Sequence, residues 1–396
     1  MKKILLMILI ASVVMLGSCK KEPDGLSIGE EKSFVKSIEG DIIPGQYVVM
    51  LKNGVTSVKS AKLSYQNAQV LMRSEMQKVL QISKISEKEP LQVYTSSTEG
   101  FAVNLSEEEA MALEKNPLVQ GVWPDRMIVL GKPGTNPKPV PAQVTPPGIT
   151  MVGGGTTYSG SNKVYIIDTG IDLTHPDLNV DVESGKTFIA RTTTPNDDNG
   201  HGTHCAGIIA AIDNNIGVVG VAAGANVVPI KVLDKRGSGA YSVVMAGVDF
   251  VIANGSPGDA VNMSLGGGAY PPLDDLVVNM GEKGLFVALA AGNERDDANN
   301  HSPARANGKN IYTVSACDKN GIWASFSNYG SPPIDYCAPG VSILSLYKGG
   351  STATMSGTSM AAPHVCGVLL TTKGIPKSEG SVSGDPDGNA DPIVHN

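Results

Sequence analysis

Four polar residues of this sequence lie in local contexts that suit acyl-transfer chemistry. Asp168 ends the apolar run "VYIID", His201 lies between glycines in "NGHGTHCAG", Asn293 follows "ALAAG", and Ser359 lies in "SGTSMAAPHV". A serine hydroxyl needs a base that takes its proton, and a histidine base needs a carboxylate that orients it. An amide N–H can stabilise the oxyanion that such a reaction develops. The four residue types together favour nucleophilic catalysis at a carbonyl carbon.

Each of these residues also has a plain structural interpretation. Ser359 precedes a predicted buried helix over residues 360–370, where it could be an ordinary N-cap, and Pro363 is expected in the first turn of that helix. His201 begins another apolar helix and could be a solvated helix-start residue, whereas Asp168 and Asn293 could be turn formers. No single stretch decides between these interpretations.

The elements that would bring the four residues together are predicted in residues 131–396. The runs "KVYIIDTGI", "NVVPIKVL", "AVNMSLG" and "GLFVALAAG" are short and almost continuously apolar, and helix-like segments separate them. Strands that are apolar on both faces indicate an α/β fold, a parallel sheet flanked by helices. Ligand sites in such sheets lie at the carboxyl ends of the strands, where Asp168 and Asn293 fall.

A smaller domain is predicted over residues 42–130. "GQYVVML" reads as a strand, residues 57–85 suit a helix, and "LQVYTSSTEGFAVNL" reads as strand, turn and strand. Ser106 and Glu109 form a capping box before a second helix, and "VQGVWPDRMIVL" is a last strand. The order β-α-β-β-α-β predicts a split βαβ (ferredoxin-like) domain. Six prolines and three glycines in residues 131–150 then indicate a linker, which leaves residues 151–396 as the larger domain.

The amino terminus resembles an export signal. Two lysines precede an apolar run over residues 4–16, which is too short to span a bilayer but suits a signal peptide. The following "LGSC" resembles a bacterial lipobox, so residues 1–19 are predicted to be a lipoprotein-type signal peptide that ends at an acylated Cys19. An ordinary cleaved signal is the alternative. Residues 20–41 are rich in Lys, Glu, Ser and Gly and are predicted to be a tether.

The net charge and the cysteine residues restrict the possible partners and the possible disulfide bonds. The net charge is −7 and no block of Lys and Arg is present, which argues against a nucleic-acid partner. Four cysteines remain beside Cys19, and in an exported protein they could form two disulfides in any of three connectivities. All four lie in apolar or small-residue stretches, so we favour free thiols. These cysteines are Cys205, Cys317, Cys337 and Cys366.

Seven stretches, taken in chain order, resemble the subtilisin-like serine proteases. Their sequences are most similar to those of the proteinase K branch. The resemblance extends from about residue 42 nearly to the carboxyl terminus, because the small domain is similar to the inhibitory propeptide of that family. The stretches are "DTGID", "NGHGTHCAG", "KVLDKRGSGAYS", "NMSLGG", "AAGNE", "ASFSNYG" and "SGTSMAAPHV".

The resemblance implies a role for each site residue. It makes Ser359 the nucleophile, His201 the general base, Asp168 the residue that orients His201, and Asn293 the oxyanion donor together with the Ser359 backbone N–H. It also implies that two chain segments flank an extended peptide substrate and that Tyr241 caps an apolar subsite. The flanking residues are Gly237, Ser238 and Gly239 on one side and Ser264, Leu265 and Gly266 on the other.

A secreted, self-processing serine endopeptidase is therefore expected, with an acyl-enzyme intermediate, protein or peptide substrates and no catalytic cofactor. The alternative is a catalytically idle surface lipoprotein that binds peptides. The resemblance further implies a structural calcium ion held by Asp335 and the backbone carbonyls of Lys309 and Ile311. A lipid on Cys19 would anchor the precursor to the membrane, and the mature enzyme would be extracellular or periplasmic. Small residues around Gly266 indicate a roomy apolar P1 pocket without an acidic residue placed to select Lys or Arg.

Overall fold

The computed structural model describes residues 40–59, 61–131 and 136–396. The predicted signal peptide, the acylation at Cys19 and nearly all of the predicted tether lie outside these residues. No helix within the described ranges is both long and apolar enough to cross a membrane.

Residues 42–130 fold with the predicted order of strands and helices. Helix α1 begins later than expected because the Ser64 side chain caps it by accepting the Asn67 N–H. The capping box of Ser106 and Glu109 is present at the start of α2. The elements are β1 (Ile42–Leu51), α1 (Tyr65–Ile82), β2 (Pro90–Tyr94), β3 (Gly100–Asn104), α2 (Glu107–Glu114) and β4 (Val119–Val129).

The remaining described residues build the larger α/β layer structure. Its strands of three or more residues are β5 (Val164–Asp168), β6 (Asn226–Lys231), β7 (Ser238–Ala240), β8 (Ala260–Met263), β9 (Phe286–Ala290), β10 (Ile311–Cys317), β11 (Ile334–Pro339), β12 (Ile343–Tyr347), β13 (Ser351–Met355), β14 (Lys377–Ser381) and β15 (Pro392–His395). Its helices are α3 (Pro147–Met151), α4 (His201–Ala210), α5 (Tyr241–Asn254), α6 (Pro271–Glu282) and α7 (Thr358–Thr372).

The central sheet runs in the order β14-β15-β11-β10-β9-β8-β5-β6, with two-residue strands beyond β6. The strands from β11 to β6 are parallel to one another, as the apolar runs predicted. Ile166 and Ile167 are adjacent and both fully buried, and they pack into hydrophobic clusters on opposite faces of the sheet. One cluster contains the buried residues of α4 and α7, and the other contains those of α5 and α6. Burial on both faces explains why these strands show no polar alternation.

The small domain has its own core but also completes that of its neighbour. Its five-stranded sheet has the order β7-β4-β1-β3-β2, so it includes β7 from the larger domain. Val48 and Ile128, which are fully buried, lie in the cluster that surrounds α5 and α6. Two domains that share a sheet and a core are held in one defined relative position.

Candidate active site

Asp168 and His201 meet at the carboxyl edge of the central sheet. Asp168 is the last residue of β5, and His201 is the first residue of α4. The His201 Nδ1 lies 2.8 Å from Asp168 Oδ1 and 2.9 Å from Oδ2, and both side chains are buried. Within the described ranges, the buried Nε2 of His201 has no hydrogen-bond partner. The carboxylate therefore fixes the tautomer in which Nδ1 carries the proton and Nε2 can accept one.

Ser359 lies in the first turn of α7, where the backbone N–H groups have no partners within the helix. Its hydroxyl donates to the Ser264 carbonyl at 3.1 Å. The predicted position of Pro363 was wrong: α7 begins at Thr358, so the proline lies in the second turn. A proline there cannot donate to the Ser359 carbonyl. That carbonyl instead accepts the Ser264 hydroxyl at 2.9 Å and the Cys205 thiol at 3.4 Å.

Asn293 follows β9 with its amide held by the start of α7. Its Oδ1 accepts the Thr358 N–H at 2.8 Å and the Thr358 hydroxyl at 3.1 Å. A Cβ added at Gly357 would lie 3.6 Å from Asn293 Oδ1, 3.7 Å from its Nδ2 and 3.7 Å from the Ser359 nitrogen. The missing side chain of Gly357 therefore leaves a small space that two potential N–H donors border, beside Ser359.

The buried thiol of Cys205 lies beside three of the four predicted catalytic residues, Asp168, His201 and Ser359. Ligand-capable atoms of Asp168, His201 and Cys205 all lie within 4.8 Å of one another. Burial raises the pKa of Cys205 well above its ordinary value, which keeps it a neutral thiol. Cys205, Cys317, Cys337 and Cys366 are all free and buried, as the sequence favoured.

The electrostatics of the site favour a histidine that can hold a proton. Burial alone would lower the pKa of His201, but the charge of Asp168 and its hydrogen bond outweigh this effect, and Asp197 adds to them. The result is a pKa above the ordinary value for histidine. His204 and His364 behave in the opposite way: burial lowers their pKa values to about 3 and about 4. These two histidines are neutral packing residues, as predicted.

The segment Gly237–Gly239 binds an extended strand, and that strand belongs to the small domain. Ser238 and Gly239 pair antiparallel with Val129 and Ile128 of β4. The Leu130 N–H then donates to the Gly237 carbonyl at 2.8 Å. The small domain therefore inserts its carboxyl-terminal strand along the edge that the sequence assigned to substrate.

Leu265 and Gly266, with Ser359 and Asn293, line a pocket at the end of this strand. Ser264 lies behind the pocket, where it contacts Ser359. Small residues line much of the wall, as predicted, and Glu294 lies there too. The Glu294 carboxylate accepts the Asn328 amide at 2.7 Å and faces His301 at 3.7 Å. Tyr241 stacks on Tyr270 with 4.4 Å between ring centroids.

Two interface carboxylates were missed by the sequence analysis. Asp125 of β4 accepts the Ser242 N–H at the start of α5, at 3.1 Å. Asp249 of α5 accepts the backbone N–H groups of Thr95 and Ser96, at 3.1 and 2.7 Å. Burial raises the pKa of Asp249 to about 6. The available signal was an aspartate within otherwise apolar stretches, since such a carboxylate requires partners.

Asp335 lies in β11, in a half-buried position. Its Oδ2 accepts the Thr313 N–H at 2.9 Å, and burial raises its pKa to about 6. A desolvated carboxylate with a single backbone donor suits a hard cation, because the cation would compensate the charge. Ile311 lies two residues before Thr313 in β10, whereas the Lys309 carbonyl packs against Gly281 of α6. The Asp335 carboxylate therefore has the chemistry of a calcium ligand.

Comparison with known proteins agrees with this geometry. The sequence profile of the subtilase family matches residues 160–379, and that of peptidase inhibitor I9 matches residues 46–130. Proteinase R of Parengyodontium album is 36% identical over 352 residues, which covers 87% of this chain and 83% of the relative. An extracellular serine proteinase of Thermus sp. (strain Rt41A) is 34% identical over 370 residues, 91% of this chain and 87% of the relative.

A crystal structure of a cold-adapted subtilisin-like serine proteinase superposes with a TM-score of 0.55 at 35% identity, covering 61% of this chain and 90% of the other. The family profile spans more than half of the chain, and the two relatives align over most of their lengths. The chain belongs to the subtilase family of serine endopeptidases and carries an inhibitor I9 propeptide in front of its α/β peptidase domain.

Proposed function

We propose that this chain is an exported, self-processing serine endopeptidase in which Ser359 is the nucleophile, His201 the general base and Asp168 the residue that orients the base. The observation that carries the proposal is the buried hydrogen bond from His201 Nδ1 to Asp168, which leaves Nε2 without a partner in the described part of the chain. This arrangement prepares one nitrogen to accept a proton beside the helix start that bears Ser359.

Each step follows from the positions of these groups. The Ser359 hydroxyl turns from the Ser264 carbonyl toward His201 Nε2, gives up its proton there, and its oxygen attacks the carbonyl carbon of the peptide bond. The oxyanion enters the space in front of Gly357, where Asn293 Nδ2–H and the Ser359 N–H donate to it. The C–N bond then breaks, His201 returns the proton to the leaving amine, and Ser359 remains acylated. Water deprotonated by His201 completes hydrolysis.

Labelling with a fluorophosphonate tests this proposal against the idle peptide-binding alternative. The processed wild-type chain is expected to be labelled at Ser359, with a rate that rises as His201 loses its proton. Because the Asp168 carboxylate raises the His201 pKa, the rise is expected above about pH 6.5, the ordinary histidine value. Mass spectrometry of the labelled peptide, over a pH series, is the measurement. Absence of label, or a labelling rate that does not change between about pH 5 and 9, would contradict the proposed roles of Ser359, His201 and Asp168.

The self-processing cut is expected just beyond β4. Residues up to Leu130 are paired in the groove, and the Lys138–Pro139 strand, within the predicted linker, already pairs with β13. The bond that reaches Ser359 must therefore follow Leu130, and the mature chain is expected to begin between residues 131 and 136. Propeptide contacts through Asp125 and Asp249 support a role as inhibitor and folding aid.

We also propose that lipidation of Cys19 holds only the precursor at the membrane. Cys19 precedes the propeptide, so a cut between residues 130 and 136 leaves the acyl chains on the propeptide and none on the peptidase domain. The name of the Thermus relative, an extracellular serine proteinase, supports release of the mature enzyme.

Membrane fractionation with N-terminal sequencing tests both the cut and the release. Wild type is expected as a shorter soluble species, and Ser359→Ala as a full-length species in the membrane fraction. Cys19→Ser in the Ser359→Ala background is the matched control and should lose the membrane association. A mature peptidase domain that resists a carbonate wash would contradict the proposal, as would an N-terminus outside residues 131–136.

A structural calcium ion at Asp335 is a separate proposal. The desolvated carboxylate and the neighbouring Ile311 segment support it, and catalysis requires no contribution from the ion. Calorimetric titration of calcium into the chelator-treated chain should show binding that Asp335→Asn weakens by at least about tenfold, since a charged ligand is lost. Equal calcium affinity of wild type and Asp335→Asn would show that Asp335 does not bind the ion.

A further inference from the structure

Asp197 is a buried carboxylate in the loop that precedes α4, and its Oδ1 accepts three hydrogen bonds. The side chain of Thr169, the residue after Asp168, donates at 2.9 Å. The backbone N–H groups of Asn199 and Gly200, immediately before His201, donate at 2.9 and 2.8 Å. One oxygen therefore touches the chain next to Asp168 and the chain that leads into His201.

The second oxygen continues the same pattern on the other side of His201. Asp197 Oδ2 accepts the Thr203 N–H at 3.0 Å and the Thr203 hydroxyl at 2.6 Å. The Thr203 hydroxyl in turn accepts the Asp172 N–H at 2.9 Å. The Thr169 hydroxyl also accepts the Gly202 N–H at 2.9 Å, which ties β5 to α4 directly.

We propose that Asp197 is a positioning residue, which sets the place of the His201 imidazole against Asp168 through the backbone on both sides of the two residues. The inference rests on the proposed function, in which His201 is the general base. Asp197 itself touches neither the imidazole nor the substrate edge, so its action passes through Thr169, Gly200 and Thr203.

A helix cap alone does not account for the contacts. The N-cap residue of α4 is Gly200, which has no side chain, so Asp197 supplies the capping oxygens from three residues upstream. A cap needs only the N–H groups at the start of the helix. The Thr169 hydroxyl belongs to another element, and its bond to Asp197 couples the helix to the end of β5. That coupling can therefore hold the His201 imidazole in a fixed position relative to the Asp168 carboxylate.

The charge of Asp197 adds an electrostatic consequence. It raises the pKa of His201. This effect is smaller than that of Asp168, which also raises the pKa, and smaller than that of burial, which lowers it. Among the described residues, His204 and Cys205 also lie close to the imidazole, and both are neutral at neutral pH.

Two lysines bring positive charge to this region: Lys231 donates to the Thr169 carbonyl at 2.5 Å and to the Asp198 carboxylate at 2.6 Å, and Lys348 donates to the Asp198 carbonyl at 2.6 Å. The Asp172 carboxylate accepts the N–H groups of Gly349 and Gly350. Lys231 and Asp172 thus have other partners, so loss of the Asp197 charge should lower the His201 pKa without a compensating ion pair.

Asp197→Asn tests the inference, because the amide keeps the shape but has one acceptor oxygen for five donated hydrogen bonds. We expect kcat to fall at least about tenfold, since small misplacements of catalytic groups have effects of this size or larger. KM should stay within about twofold, because the substrate edges are untouched. The acid limb of the kcat/KM profile should move to lower pH. Chains that do not mature are processed with immobilised wild-type enzyme, and active sites are counted with a fluorophosphonate.

Asp198→Asn is the matched control, since the neighbouring carboxylate is 44% exposed and its ion pair within the described residues is with Lys231. It should leave kcat and the acid limb within about twofold and 0.2 pH of wild type, as expected for a screened charge. Thr203→Ser keeps the hydroxyl and should retain kcat, whereas Thr203→Val removes it and should lower kcat severalfold. If Asp197→Asn does not fold, the difference in kcat between the two Thr203 variants tests the inference instead.

Three results would overturn the inference: an unchanged kcat in Asp197→Asn, a loss of kcat with an unmoved acid limb, or equal kcat in the two Thr203 variants. His201→Ala separates this failure from failure of the proposed function. If His201→Ala is inactive while Asp197→Asn is fully active, only the role of Asp197 is refuted. If His201→Ala keeps full activity, the general base itself was wrongly assigned.

Discussion

Replacing Ser359 with alanine is expected to abolish proteolysis and to leave the chain as an uncut precursor. The change removes only the hydroxyl oxygen that would bond to the substrate carbonyl carbon, and the neighbouring Ser264 and Cys205 still have the Ser359 carbonyl to bind. The expected loss in kcat is about 10⁶-fold, the magnitude known for loss of the nucleophile in a subtilisin. The substrate edge at Gly237 to Gly239 is unaltered.

Two measurements on one preparation check this result. Electrophoresis should show the precursor near its full length, whereas wild type should be shorter by the propeptide. A fluorogenic peptide should remain uncut by Ser359→Ala even after immobilised wild-type enzyme has removed the propeptide and has then been withdrawn. Maturation of Ser359→Ala in a protease-free host would show that another group of this chain cuts the linker.

The sequence sufficed for the elements that carry the candidate site residues because their signals are local. An apolar run that ends in Asp168 predicts a buried parallel strand, and the fold brings its carboxyl end to the start of α4. Likewise, the β-α-β-β-α-β order of the propeptide follows from the alternation of short apolar runs and one capping box. Such features depend on neighbours within a few residues, so periodicity and capping rules detect them.

Features that depend on distant contacts could not be predicted in the same way. Glu294 enters the pocket wall because its carboxylate meets Asn328, which is 34 residues away in the chain. The position of Pro363 in α7 depends on where Gly357 starts the helix, and the Ser359 carbonyl that the proline leaves unpaired is satisfied by Ser264, 95 residues earlier. No local pattern encodes these pairings. They are also the contacts that shape the catalytic pocket.

The propeptide interface shows the same limit. The sequence predicted an inhibitory domain only through its resemblance to a family, whereas its docking depends on two buried carboxylates. Asp125 accepts the Ser242 N–H and Asp249 accepts those of Thr95 and Ser96, so these hydrogen bonds between the domains would be lost if the domains separated. An aspartate in a mostly apolar stretch reveals that it needs a donor, but not which segment supplies that donor.

Asn293→Ala is expected to lower kcat by about 10²–10³-fold with little change in KM, the magnitude known for loss of the corresponding asparagine in a subtilisin. The physical reason is that the oxyanion forms only after Ser359 attacks, so the Nδ2–H donation strengthens in the transition state and is weak in the substrate complex. Thr358 holds the side-chain oxygen at 2.8 Å through its N–H, which leaves the amide nitrogen facing the space before Gly357.

Asn293→Asp sharpens the test because it keeps the volume of the side chain and replaces the donor with an acceptor that carries negative charge. It should be at least as slow as Asn293→Ala, since the carboxylate would repel the oxyanion. Thr358→Ser is the matched control: it keeps the backbone N–H and the hydroxyl that bind Asn293 Oδ1, so kcat should stay within about threefold of wild type. Steady-state kinetics on one peptide, with active sites counted by titration, separate kcat from KM. A raised KM at constant kcat would make Asn293 a substrate-binding residue instead, and the Ser359 N–H would then be the main donor to the oxyanion.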